Sequence, residues 1–130
     1  MKVADSSYLI EGILRDAGPF ENETLVCPDL ALYEVVNALW KHATLLHDLE
    51  NLEERIELLS DLVSNQRVQL VRPDRKLLKD TYSVSAKHGR AVYDCVFVAL
   101  ALQLQIELAT FDDKQSAILS EEEQREKELP

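Results

Sequence analysis

The chain has 130 residues, of which 46% are hydrophobic, and it carries a formal net charge of −10 at neutral pH. This size suits a single domain with its own core, and the acidity disfavours broad binding to nucleic acid, which needs Lys and Arg to neutralise phosphates. No apolar run of about 18 residues occurs and the first residues lack a signal-peptide pattern, so we expect a cytoplasmic protein without membrane spans.

Short apolar runs alternate with helical spacing along the chain. The first half predicts, in order, a strand over residues 1–4, a helix over 6–14, a loop over 17–24, a strand over 25–27 and a helix over 30–43. The second half predicts a helix over residues 49–62, a strand over 68–71, helices over 74–88 and 94–105, and a strand over 107–111. Because parallel strands need helical crossovers, this alternation indicates a three-layer α/β fold with a mainly parallel sheet flanked by helices.

Acidic residues stand where several of these elements begin or end. Asp5 and Asp112 follow predicted strands, and Asp94 begins a predicted helix. These three side chains could share the carboxyl edge of the sheet, and no Lys or Arg immediately adjacent to them in sequence offers neutralisation. Glu34 lies among apolar residues of the second helix, where a carboxylate either reaches water or meets a partner. Clustered carboxylates repel unless a cation intervenes, and oxygen ligands suit Mg²⁺ or Mn²⁺.

Each acid also has a purely structural explanation, which the sequence leaves open. Helix capping would account for an Asp at a helix start, and the candidates for this role are Asp29, Asp74 and Asp94. Asp5 and Asp112 could close a turn or cap after a strand. Glu34 could simply occupy an exposed helix position.

Other residue types carry alternatives of their own. Seven of the fourteen Lys and Arg residues lie between Arg67 and Arg90, where they either contact phosphates or form a solvated helix face. Tyr33 and Trp40 are expected in the core, with a partner interface as the alternative. Cys27 and Cys95 are expected to be buried free thiols, and the scattered His residues disfavour a zinc site.

Four stretches, taken together, resemble the ordered motifs of PIN-domain proteins. They are Val3-Ala-Asp5-Ser-Ser-Tyr-Leu-Ile10, Pro28-Asp-Leu-Ala-Leu-Tyr-Glu34-Val-Val-Asn-Ala-Leu39, Tyr93-Asp94-Cys-Val-Phe-Val-Ala-Leu-Ala101 and Leu108-Ala-Thr110-Phe-Asp112. The chain length and the third stretch are similar to those of VapC-type ribonuclease toxins of prokaryotic toxin–antitoxin pairs. The resemblance covers roughly residues 3–119, so we predict a PIN-like nuclease domain over residues 1–119 and a charged C-terminal extension over residues 120–130.

The resemblance implies an endoribonuclease in which water bound to Mg²⁺ or Mn²⁺ attacks the RNA phosphodiester. The implied ligands are Asp5, Glu34, Asp94 and Asp112, and the implied polar supports of the pocket are Ser7 and Thr110. Asp113 is not expected to be a ligand, because its side chain points elsewhere. The resemblance further implies a homodimer and a cognate antitoxin protein that blocks the pocket. A catalytically inactive PIN-like module that serves protein binding is the alternative.

Overall fold

Parallel strands form the centre of the protein in a computed structural model, which describes residues 1–15, 20 and 22–129. The elements are β1 (Lys2–Ala4), α1 (Ser6–Leu14), β2 (Leu25–Pro28), α2 (Leu30–Trp40), α3 (Leu52–Ser64), β3 (Val68–Val71), α4 (Arg75–His88), α5 (Val92–Leu104), β4 (Leu108–Ala109) and α6 (Asp113–Glu128). A π-helical turn, Lys41–Leu45, prolongs α2. The loop predicted over residues 17–24 lies partly outside the described residues.

The sheet has the strand order β3-β2-β1-β4, and every neighbouring pair is parallel. In the pairing of β1 with β4, Val3 lies opposite Leu108 and Ala4 opposite Ala109. Strands β1 and β4 are therefore neighbours, and the chain leaves both of them at the same edge of the sheet. Because parallel strands point the same way, the residues that follow β1 and β4 meet at the carboxyl edge of the sheet.

Helices cover the sheet in two groups. In one group α1, α2 and α3 pack against one another, and in the other α5 packs against α4, α6 and the strands β1 and β2. Because α5 lies between the sheet and two helices, it is apolar around its circumference and buries Cys95 and residues 97–101. Cys27 and Cys95 are buried and free, as predicted. The predicted three-layer α/β fold with a parallel sheet flanked by helices is confirmed.

Several predicted helix starts and strand limits differ from the observed ones. The predicted cap at Asp29 is wrong: its backbone is helical (φ −60°, ψ −27°) and its side chain makes no capping bond to α2. A capping residue needs a non-helical backbone for its side chain to reach the free N–H groups. The helix predicted from Asp94 starts at Val92, and β4 is limited to Leu108–Ala109. Asp74 does cap α4, as predicted.

One side of α2 faces solvent, which corrects the expectation that its aromatic residues pack in the core. Tyr33 is 78% exposed and Trp40 is 47% exposed. The buried residues of α2 are instead Ala31, Val35 and Leu39. Apolar residues occur on every side of this helix, with Glu34 and Asn37 the only polar ones, so composition alone did not identify the face that packs in the core.

The C-terminal helix α6 runs across residue 119 without a break. Most of its residues from 120 onward are exposed, but Glu122 is buried. The division into a domain over residues 1–119 and an extension over residues 120–130 stays a prediction. Among the described helices, none has both the length and the apolar character that crossing a membrane requires.

Candidate active site

Asp5 is the buried acid at the carboxyl edge, with 1% of its surface exposed. Its backbone N–H donates to the carbonyl oxygen of Ala109 (3.1 Å) and so joins the ends of β1 and β4. Its Oδ1 accepts hydrogen bonds from Ser7 Oγ (2.7 Å) and from the backbone N–H of Tyr8 (3.0 Å), the second of which caps α1. Its Oδ2 accepts from Thr110 Oγ1 (2.5 Å). These three donors compensate for the burial of the carboxylate.

Two hydroxyl groups connect the loops that follow β1 and β4. Ser7 Oγ donates to Asp5 and accepts from the backbone N–H of Phe111 (3.0 Å). Thr110 Oγ1 donates to Asp5 and accepts from the backbone N–H of Asp112 (2.8 Å). The Asp112 side chain in turn caps α6. The structure thus places Ser7, Thr110 and Asp112 in one hydrogen-bond network with Asp5.

Glu34 reaches the same region from the first turns of α2. Ser6 Oγ, from the start of α1, donates to Glu34 Oε1 at 2.7 Å. Burial raises the pKa of the Glu34 carboxyl above its ordinary value, the hydrogen bond from Ser6 opposes the shift, and the negative charges of Asp94 and Asp5 add to the increase. Glu34, Asp94 and Asp5 therefore lie close enough to repel one another.

Asp94 lies in the first turn of α5, where helix amides favour negative charge. Ala91 occupies the cap position, so helix capping does not explain Asp94. Arg90 Nη2 lies 3.2 Å from Asp94 Oδ2, so a basic side chain four residues away in the sequence does pair with one of the acids. An exposed ion pair of this kind contributes about 0–1 kcal/mol, so a divalent cation could displace it.

A profile of the PIN domain matches residues 3–119. The chain belongs to the PIN-domain family. Ribonuclease VapC3 of Pyrobaculum aerophilum is 39% identical to this PIN-domain chain over 84 residues, which are 65% of this chain and 63% of the relative. The crystal structure of PAE2754 from Pyrobaculum aerophilum superposes with a TM-score of 0.73 at 23% identity, over 90% of this chain and 83% of that one. At 23% identity, the similarity to this crystal structure concerns the fold alone.

The acidic site of this PIN domain has the donor chemistry of a site for a hard divalent cation. Asp5, Glu34 and Asp94 offer only oxygen atoms, the ligands that Mg²⁺ and Mn²⁺ prefer. Burial is the main cause of the raised pKa of Glu34, and the negative charges of Asp94 and Asp5 add to it. Within the part of the chain that the structure describes, however, no three His, Cys, Asp or Glu side chains form a ready-made metal site. Cation binding would therefore have to draw the carboxylates closer together.

The sequence did not indicate the parts that three residues play at the acidic site of this PIN domain: Ser6 and Arg90 contact acids, and Phe111 contacts Ser7. Ser6 bonds to Glu34, which lies 28 residues away in the sequence, so no local pattern could reveal the contact. Arg90 precedes Asp94 by four residues, a spacing that suggests an ion pair within a helix, but Arg90 lies before the start of α5. Phe111 falls within the strand that was predicted over residues 107–111, whereas the observed strand ends at Ala109.

Proposed function

We propose that this PIN-domain chain is a VapC-type endoribonuclease that hydrolyses RNA phosphodiesters with bound Mg²⁺ or Mn²⁺. The main support is the grouping of Asp5, Glu34 and Asp94 at the carboxyl edge, where burial and the other two acids raise the pKa of Glu34. Such a concentration of negative charge costs stability, and a divalent cation would relieve it. The relative named as a ribonuclease supports the same activity.

The proposed roles follow from the contacts of each side chain. The residues that would hold the cation are Asp5, Glu34, Asp94 and Asp112. Ser7 and Thr110 fix the Asp5 carboxylate, and Ser6 orients Glu34. When bound, the cation would supply a water of lowered pKa and positive charge opposite the phosphate. Asp94 lies in the first turn of α5, and its carboxylate pairs with Arg90.

The proposed partners are RNA as substrate, a cognate antitoxin protein as inhibitor and a second copy of the chain in a homodimer. The VapC name of the relative supports the antitoxin. The exposed aromatic side chains Tyr33 and Trp40 on α2 support a protein interface. We expect the enzyme to act in the cytoplasm, where its RNA substrate would be found.

Replacement of Asp94 by Asn tests the proposed activity. The amide keeps the shape of the side chain but removes the charge that attracts a cation, so we expect cleavage of labelled single-stranded RNA in MgCl₂ or MnCl₂ to fall to the EDTA background. Asp113→Asn is the matched control, because Asp113 is exposed on the next helix. It should cleave at the wild-type rate. Unchanged cleavage by a correctly folded Asp94→Asn protein would exclude the proposed site.

A catalytically inactive protein-binding module is the second candidate function. It is favoured by the exposed α2 residues and by the lack, in the described residues, of a preformed metal site. This candidate predicts a full effect on cell growth after all four acids are changed to amides. The nuclease proposal predicts that the same variant is harmless to the cell.

A further inference from the structure

An exposed aromatic residue lies between two residues of the acidic site in the sequence and is bonded to it through its backbone. Phe111 lies between Thr110 and Asp112 and is 65% exposed. Tyr93, next to Asp94, is 61% exposed. Single exposed apolar side chains are common on protein surfaces. An exposed ring directly flanked by two residues of a candidate nuclease site is more informative, because its π-face is available to a substrate.

Phe111 is held in place from both its backbone and its ring. Its N–H donates to Ser7 Oγ (3.0 Å), and that hydroxyl donates to Asp5, so the Phe111 backbone is tied to the acidic site. Its ring stacks on the ring of Tyr8, with centroids 5.6 Å apart and planes 22° apart. The Tyr8 hydroxyl donates to Glu23 Oε2 (2.8 Å), which fixes the lower ring in turn. A ring fixed in this way loses little entropy when a ligand stacks on it.

Because the chain is strongly acidic, a stacking contact would supply affinity for RNA that charge cannot. At −10, the protein as a whole repels a polyanion, so phosphate neutralisation can supply only part of the affinity for RNA. Base–aromatic stacking does not depend on charge, and proteins use it to bind unpaired nucleotides. Bases within a duplex already stack on one another and present no free face to a side chain.

The geometry points to Phe111, supported by Tyr8, as a platform that stacks an unpaired base of an RNA strand bound at the acidic site. The substrate class that fits is RNA that is single-stranded at the cleavage position. This inference rests on the proposed nuclease function, because it takes the acidic site as the place where the phosphate binds. It adds a specificity contact that none of the acidic side chains can provide.

Binding in EDTA separates this contact from catalysis. We would measure the Kd of a labelled single-stranded RNA by fluorescence anisotropy for the wild type, Phe111→Leu and Phe111→Trp. We expect Leu to weaken binding about tenfold because it loses the π-face, and Trp to restore it. The salt dependence should stay the same in all three proteins, because no phosphate contact changes. Tyr82→Leu, which removes an exposed ring on α4 outside the acidic site and the α2 helix, should leave the Kd unchanged.

An abasic scan identifies the stacked base. RNAs that lack one base at successive positions should show a single position where wild-type binding weakens about as much as in Phe111→Leu. Phe111→Leu should not weaken further with that RNA, since both changes remove the same contact. Independent, additive losses would overturn the proposed stack.

Cleavage assays distinguish the failure of this inference from the failure of the proposed function. If the wild type cuts RNA but Phe111→Leu binds it equally well, the stacking contact is wrong and the nuclease stands. If the wild type binds RNA through Phe111 but never cuts it, the nuclease is wrong and the contact stands. Equal cleavage of duplex and single-stranded RNA would also overturn the inference, as would a Phe111→Leu variant that loses only the binding of a protein partner.

Discussion

The Ser6–Glu34 hydrogen bond shows how a single hydroxyl can adjust an acid that the proposed chemistry needs in its charged form. Glu34 is half-buried beside two other carboxylates, and these neighbours and burial raise its pKa. Ser6 donates to Oε1 and stabilises the ionised form, which lowers the pKa in part. Ser6 thus orients Glu34 and favours its ionised form.

Loss of the Ser6 hydroxyl should shift the acidic limb of the pH–rate profile to higher pH. The proposed mechanism requires the ionised form of Glu34, and its raised pKa means that the carboxylate becomes protonated at a higher pH than its ordinary value of 4.5 would give. Ser6→Ala removes the contact that opposes this increase, so we expect kcat/KM to fall at a higher pH than in the wild type. Ser6→Thr, which keeps the hydroxyl, should behave as the wild type does. An acid limb that stays in place or moves to lower pH in Ser6→Ala would contradict this role.

Helices α4 and α6 are joined by a partly buried group of charges. His88 Nε2 lies 2.9 Å from Glu122 Oε1, and Lys87 Nζ lies 3.5 Å from Glu122 Oε2. The side chains of His88 and Glu122 are each only 9% exposed. Burial raises the pKa of Glu122, but the hydrogen bond from His88 and the nearby charges of Lys87 and Arg125 bring it below its ordinary value. These contacts attach the part of α6 that follows residue 119 to helix α4.

Removal of the His88 ring should destabilise the fold. His88→Ala leaves a buried carboxylate with fewer partners, so we expect the free energy of unfolding to fall by about 1–3 kcal/mol, as measured by urea denaturation at pH 7. Because the folded-state pKa of Glu122 is lowered, its contribution is present above the ordinary value of 4.5 and is lost as the pH falls through the folded-state pKa. The difference between the two proteins should therefore shrink in acid.

A matched change on the same helix provides the control for His88. Glu123 is exposed, so Glu123→Ala should leave the free energy of unfolding within about 0.5 kcal/mol of the wild type. Equal stability of wild type and His88→Ala at pH 7 would show that the buried group of charges contributes nothing net, as some buried ion pairs do.

Local sequence patterns sufficed to predict most elements, because apolar spacing depends on residues within one or two turns. The four observed strands and the helices between them follow the predicted order. The face of each helix that is buried was harder to predict. Apolar residues lie on every side of α2, with only Glu34 and Asn37 between them, so the sequence could not show that Ala31, Val35 and Leu39 face the core. Asp29 illustrates the same limit, since its backbone angles depend on how the chain leaves β2.

The candidate site was predictable to the extent that topology determines it. Parallel strands put the residues after β1 and β4 at one edge, and Asp5 and Thr110 do lie in hydrogen-bond contact there. Contacts between side chains from distant segments were not predictable in this way. The bond from Ser6 to Glu34 depends on the packing of α1 on α2, which no single-sequence pattern specifies.

The whole molecule combines a strong negative charge with an apolar surface on one helix. The α2 face comprises Tyr33, Val36 and Trp40, whose exposed fractions run from 37% to 78%. Tyr33, Val36 and Trp40 recur at steps of three and four residues, so they lie on one side of the helix. A net charge of −10 keeps copies of the chain apart, whereas this face favours their association. Ionic strength should decide the balance between the two.

We expect the α2 face to form the homodimer, and Trp40 to contribute most of its stability. Large aromatic side chains dominate the binding energy of protein interfaces, so Trp40→Glu should give the 14.8 kDa monomer under conditions where the wild type has twice that mass. Light scattering after size-exclusion chromatography measures both masses. Tyr82→Glu is the control, because Tyr82 is 70% exposed on α4 and outside this face. Added salt should tighten the wild-type dimer by screening the repulsion between two acidic chains. A Trp40→Glu protein that dimerises as tightly as the wild type would place the interface elsewhere on the molecule.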